Sequence, residues 1–169
     1  HAQYAALKPQ MALSTAPYFG SWVATDAGSL AAIRAGGATA VMDRVETAAA
    51  QVLGQMNGAL AVCADEDMPW FVYEGGQHLV LANSGGVVDA TLHTAISEAN
   101  RSQRMGDLYQ SFWTQVAARA RVVAAYDLVD KNSAYGYWGA FETWERSTPK
   151  WTALANVAQA VNRRNLTPA

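Results

Sequence analysis

Apolar residues alternate along the chain between short dense runs and longer stretches with helical spacing. The runs at 11–19 (MALSTAPYF), 69–74 (PWFVYE) and 122–126 (VVAAY) read as three strands. From Thr39 onward, Val41, Val45, Ala48, Val52, Met56 and Leu60 recur every three or four residues and draw an apolar stripe down one long helix. Residues 87–100 and 105–119 predict two more helices, the second with Met105, Leu108, Phe112 and Val116 on one face. Thr148 and Pro149 open a last helix as N-cap and first helical residue, with Trp151, Leu154, Ala158 and Val161 as its buried stripe. The order is strand, helix, strand, two helices, strand, helix, which is the pattern of parallel strands joined by helical crossovers.

The middle strand carries the most informative chemistry. Its apolar run from Pro69 to Tyr73 suits a strand buried on both faces, and it ends abruptly in Glu74-Gly75-Gly76-Gln77-His78. In parallel sheets the carboxyl ends of the strands face the crevice where ligands bind, and two glycines there allow a sharp turn close to the carboxylate. No second composition is set off by a linker, so residues 1–169 read as a single unit.

With 169 residues, 51% hydrophobic and 15% charged, the chain has material for one real core and too little charge for disorder. A net charge of -2 provides no field to gather phosphates, so nucleic acid is not an expected partner. No apolar run reaches the roughly 20 residues of a membrane span, so no membrane partner is expected either. The one cysteine, Cys63, falls in a helical pattern and reads as a small buried hydrophobe. Three histidines give no spacing like a zinc site, and Gly75-Gly76 lacks the lysine of a phosphate loop, so neither a metal nor a cofactor is expected. The start at His1, without Met and without an apolar secretion segment, reads as a processing, cleavage or expression boundary, and a secreted or periplasmic location is the expectation.

Five segments occur in a telling order: Ala16-Pro17-Tyr18-Phe19-Gly20, Val72-Tyr73-Glu74-Gly75-Gly76-Gln77-His78, Arg104-Met105-Gly106-Asp107-Leu108-Tyr109, Tyr135-Gly136-Tyr137-Trp138-Gly139-Ala140-Phe141-Glu142 and Thr148-Pro149-Lys150-Trp151. In this order the chain resembles, over residues 11–161, the C-terminal part of bacterial (β/α)8-barrel proteins similar to clan A glycoside hydrolases. The resemblance implies an α/β fold in which the three strands are strands 6–8 of a TIM-type barrel, with the N-terminal strands lying outside this chain. A closed barrel typically takes about 250 residues.

The resemblance further implies a retaining mechanism acting on a polysaccharide or glycoside, with Glu74 as the nucleophile. The proton donor of such enzymes belongs to a strand that this chain does not contain, so any hydrolysis requires the missing barrel portion. Tyr18 resembles the tyrosine that bonds the nucleophile, and Trp138 is the candidate platform for a sugar ring. Gln77 and His78 are candidates for sugar hydroxyls, Asp127 for positioning a loop or a substrate hydroxyl, and Glu142 for binding substrate; Asp127 and Glu142 are also the local substitutes for the missing acid. The expected partners are a carbohydrate and whatever completes the sheet: an N-terminal barrel portion, another chain or another copy. Two readings from other classes stand beside the enzyme. One is a non-catalytic carbohydrate-binding or structural module that completes a larger assembly, and the other is an independent α/β domain in which Glu74 is incidental.

Overall fold

A computed structural model describes residues 6–81, 89–144 and 147–166 of the chain. It is a mixed α/β structure in which helices predominate and the few strands are short and parallel. The first expected strand is interrupted at Pro17, which lacks the N–H a ladder needs, and becomes β1 (Leu13–Thr15) and β2 (Tyr18–Phe19). The second divides at the Glu74-Gly75 turn into β3 (Trp70–Val72) and β4 (Gly76–Gln77). The third contributes β5 (Val122–Val123), with further ladder bonds from Ala124 N–H to Val72 O at 2.9 Å and from Tyr126 N–H to Gly75 O at 2.8 Å.

The strands β1, β3 and β5 form one parallel sheet in that order, and β2 pairs with β4, also parallel. Register decides what each face of the larger sheet does. Trp70, Val72 and Val123 belong to the row that packs against the helices, joined by Leu13 at the edge. The alternate row, Ser14, Phe71 and Val122, points the other way, and there Ser14 is exposed and Val122 is 50% exposed. Sequential parallel strands with helices packed on one face leave the opposite face uncovered.

Helix α1 (Ala27–Asp65) begins earlier than the stripe from Thr39 suggests, because the Asp26 carboxylate accepts the Ser29 N–H at 2.8 Å and caps a first segment. A kink at Gly37 joins that segment to the periodic part. Helices α2 (Ala90–Arg101) and α3 (Gln103–Ala117) start from Asp89 and Ser102, whose side chains accept the N–H groups of the first turns. The expected helix start at Val87 lies outside the described residues. The core gathers Phe19, Val45, Trp70, Ile96, Phe112 and Trp113 among others, and Cys63 is buried in it as a free thiol.

Helix α4 (Pro149–Leu166) departs from expectation in an informative way. Thr148 does cap it, its hydroxyl accepting the Trp151 N–H at 3.1 Å. Its buried face, however, is Lys150, Ala153 and Val157, one position away from the expected stripe. Trp151, Leu154, Ala158 and Val161 line an open apolar groove of about 390 Å³ beside β5, together with Ala117, Val123 and Leu128. The sequence carries two overlapping stripes on this helix: one is buried, while on the other Leu154 and Val161 pack partly against the core and Trp151 and Ala158 are exposed.

Candidate active site

The carboxyl ends of the strands bring most of the expected residues together. Tyr18 is on β2, Glu74 occupies the turn between β3 and β4, His78 follows β4, and Tyr126 and Asp127 follow β5. Their rings form a closed circuit with Trp138. Centroids are 5.3 Å apart for Tyr18 and His78, 5.8 Å for His78 and Trp138, 5.7 Å for Trp138 and Tyr126, and 6.4 Å for Tyr126 and Tyr18. All four contacts are steeply inclined edge-to-face arrangements, which suit the ring quadrupoles and hold the rings against one another.

Glu74 lies beside the Tyr18 phenol at the strand ends. Burial first, then the charge and hydrogen bond of Glu74, hold the Tyr18 hydroxyl well above the ordinary tyrosine range, with smaller contributions from Tyr126 and Tyr73. The phenol therefore stays a proton donor to Glu74 throughout the neutral range. Gly76 makes the turn possible: its φ is +135°, and a Cβ there would stand 3.0 Å from the Tyr109 hydroxyl.

Asp127 is partly buried, and desolvation raises its carboxyl above the usual range, with Asp130 adding to the rise and Lys150 opposing it. Its Oδ1, Nδ1 of His78 and Nε1 of Trp138 are buried and bond no protein group among the described residues. Two of these residues, His78 and Trp138, belong to the aromatic circuit. An acceptor, an indole donor and an imidazole nitrogen thus retain hydrogen-bonding capacity in and beside the mouth.

Two expected residues have other partners. Gln77 is fully buried and its amide is engaged internally: Nε2 donates to Tyr137 O and, at 3.4 Å, to Asn100 Oδ1, while Oε1 accepts the Leu79 N–H at 2.7 Å. It holds the turn rather than facing a ligand. Glu142 accepts from Nε and Nη2 of Arg101, at 2.5 and 2.6 Å, and from Asn132 Nδ2 at 3.1 Å, which pins its loop to the end of α2. His93 pairs with the Tyr137 hydroxyl at 2.6 Å and is a packing residue.

Sequence reasoning passed over Tyr126, Asn100 and Lys150. Tyr126 ends the third apolar run and was legible as a strand-end aromatic. Lys150 sits in the first turn of a helix, where a lysine ordinarily reaches solvent. The signal available for it was its register with Ala153 and Val157, the second stripe of α4.

The loop carrying Trp138 depends on Gly136. Ser133 and Gly136 exchange backbone hydrogen bonds of 2.9 and 3.1 Å across a tight turn, and a Cβ at Gly136 would collide with the Trp138 indole. Gly136→Ala is expected to displace that indole and to destabilise the protein by about 1–3 kcal/mol, the usual effect of overpacking. Near-ultraviolet circular dichroism with urea unfolding checks it; an unaltered aromatic spectrum would show that the ring is not held this way.

Among the described residues no group of three or more His, Cys, Asp and Glu side chains could hold a metal ion, and no helix is long and apolar enough to cross a membrane. Comparison of the chain with protein-family models, curated proteins and solved structures finds no match.

Proposed function

We propose that this chain is the C-terminal portion of a (β/α)8-type barrel and that, in the completed barrel, Glu74 is the nucleophile of a retaining glycosidase. The observation that carries the reading is the Tyr18–Glu74 pair at the strand ends, set against a circuit of four aromatic rings. A carboxylate with a fixed phenol donor is oriented for attack, and indole and phenol walls suit the apolar face of a sugar ring. His78 Nδ1, Trp138 Nε1 and Asp127 Oδ1 lie close by as buried polar atoms without a protein partner among the described residues.

In this reading a Glu74 oxygen forms a bond to the anomeric carbon as the glycosidic C–O bond breaks. The leaving oxygen takes a proton from an acid about 5–5.5 Å from Glu74, supplied by the remaining barrel, and water then releases the sugar with retention. Trapping tests it. A 2-deoxy-2-fluoro glycoside of the preferred sugar, incubated with the full-length protein, is expected to leave its glycosyl group on the peptide containing Glu74, detected by mass spectrometry. An adduct on a different carboxylate, or hydrolysis with inversion, overturns the assignment. Sugar binding without turnover of any glycoside would favour the carbohydrate-binding module.

Among the described residues, the uncovered sheet face, the unpaired outer edges of β1 and β5 and the partly open stripe of α4 support further β-α units as what completes the sheet. Those units belong to the same full-length polypeptide in this reading. Leu154 on α4 then becomes buried, and Leu154→Asp in the full-length protein is expected to destabilise it by about 2–5 kcal/mol. A change below about 0.5 kcal/mol in chemical denaturation, typical of an open surface, would mean that nothing covers the groove.

A further inference from the structure

Lys150 is only 1% exposed, although its place one residue into α4 would ordinarily put it in water. Its ammonium donates to Asn100 Oδ1 at 2.9 Å, Trp138 O at 2.8 Å and Tyr137 O at 3.2 Å, so each of its three hydrogens has an acceptor. The group also lies 5.1 Å from the centre of the Tyr109 ring, a cation–π arrangement. Two of those acceptors, Asn100 Oδ1 and Tyr137 O, are shared with Gln77 Nε2. Gln77 in turn is the residue of β4 whose N–H bonds the Tyr109 hydroxyl at 3.0 Å and whose strand pairs with Tyr18–Phe19. One buried polar node therefore joins the strand carrying Tyr18, the turn carrying Glu74 and the loop carrying Trp138.

We propose that Lys150 is a positioning residue that fixes the Trp138 indole relative to the Glu74 turn through this shared node. It touches no ligand itself. Loss of one proton leaves two donors for three acceptors, which frees a carbonyl in the 137–138 backbone and loosens the indole. The groups that face the ammonium set where this happens: Asp127 and Asp130 after β5, Glu142 in the same loop, Tyr137 beside it and Tyr109 on α3. Burial pushes the lysine down to about 7, and the three carboxylates pull it back up. The node thus changes donor count within the neutral range. A purely stabilising lysine would hold the fold without making the geometry of Trp138 depend on its proton.

The test follows Trp138 by ¹⁹F NMR in the full-length protein labelled with 5-fluorotryptophan, its resonance assigned by loss in Trp138→Phe. A His78→Gln background removes the imidazole that contacts the same indole. In that background the Trp138 resonance is expected to titrate with a midpoint near pH 7, and adding Lys150→Met is expected to shift it and abolish the titration. Two outcomes overturn the proposal: a resonance that does not move between pH 5.5 and 8.5 in the Lys150-containing protein, or the same titration with Lys150→Met. The first is readable even if Lys150→Met fails to fold. The consequence for ligands rests on the carbohydrate reading above: Lys150→Met is expected to weaken oligosaccharide binding about tenfold, the worth of one or two hydrogen bonds. A Lys150-dependent titration in a protein that binds no oligosaccharide upholds the positioning role and rejects the sugar site, so the two failures are separable.

Discussion

On the proposed glycosidase reading, Glu74→Gln in the completed barrel is expected to lower kcat on an aryl glycoside by about 10⁴-fold or more, roughly 5.4 kcal/mol of transition-state stabilisation. The amide keeps the size of the side chain and an oxygen that can accept the Tyr18 hydroxyl, but it has no charge with which to attack the anomeric carbon. Sugar affinity, measured by isothermal titration, is expected to stay within about threefold, because ground-state contacts persist while the covalent step is lost. Tyr18 gives a second readout that needs no substrate. The charge and hydrogen bond of Glu74 are the second and third causes of its raised pKa, so an ultraviolet titration of Glu74→Gln is expected to show the phenol ionising at lower pH. It stays above the ordinary tyrosine value because burial, the first cause, is unchanged. A structural carboxylate would behave otherwise: its loss would reduce stability by about 1–3 kcal/mol and leave turnover per folded molecule intact. Equal kcat in the two proteins would remove Glu74 from the chemistry.

What could be read from the sequence follows from how local each signal is. Thr148-Pro149 specifies a helix start within four residues, and the structure has that cap. The alternation of strand and helix was likewise legible, because a buried parallel strand is a dense apolar run whatever surrounds it. Strand lengths were not. A run such as 11–19 records apolar residues, but whether they join a ladder depends on Pro17 and on partners far along the chain. The offset on α4 has a similar origin: apolar periodicity identifies both stripes and cannot choose which one meets α3. Around the candidate site, the positions of Tyr18 and Glu74 at strand ends were legible because each closes a dense apolar run, whereas the approach of Trp138 to them depends on a loop far along the chain. Gln77 was misread as a ligand group because its neighbours Asn100 and Tyr137 lie 23 and 60 residues away, and only folding discloses them. Lys150 was invisible for the same reason, since nothing local announces that three acceptors wait for it inside the protein.

Lys150 also makes a thermodynamic prediction, and its sign is the reverse of that for a lysine gaining a surface ion pair. Its pKa falls from the ordinary 10.5 to about 7 on folding. Between those values the unfolded chain binds a proton that the folded protein does not, so stability rises as pH rises through this interval. Below pH 7 both states carry the proton and this group adds no slope, while the full cost of burying its charge remains. The free energy of unfolding from urea titration is expected to increase by about 2 kcal/mol between pH 7 and pH 9, within the limit of 1.36 kcal/mol per unit for a single group. Asp127 acts with the opposite sign, its raised carboxyl favouring the folded state at low pH and losing that effect as pH climbs through the shifted value. Tyr18, Tyr109 and Tyr137, the last pushed up to about 12, favour folding until pH passes the ordinary tyrosine value near 10, above the window. Lys150→Met removes the lysine's own titration; Asp127 then also loses the opposing pull of the ammonium, which acts on the acid side of this window. The mutant loses three hydrogen bonds but is spared the buried charge, so the two stability curves are expected to lie closest at pH 6 and to separate by about 2 kcal/mol by pH 9. Parallel curves over that range would mean that Lys150 keeps its proton in the folded protein, held by its three acceptors and by Asp127, Glu142 and Asp130 against the cost of burial.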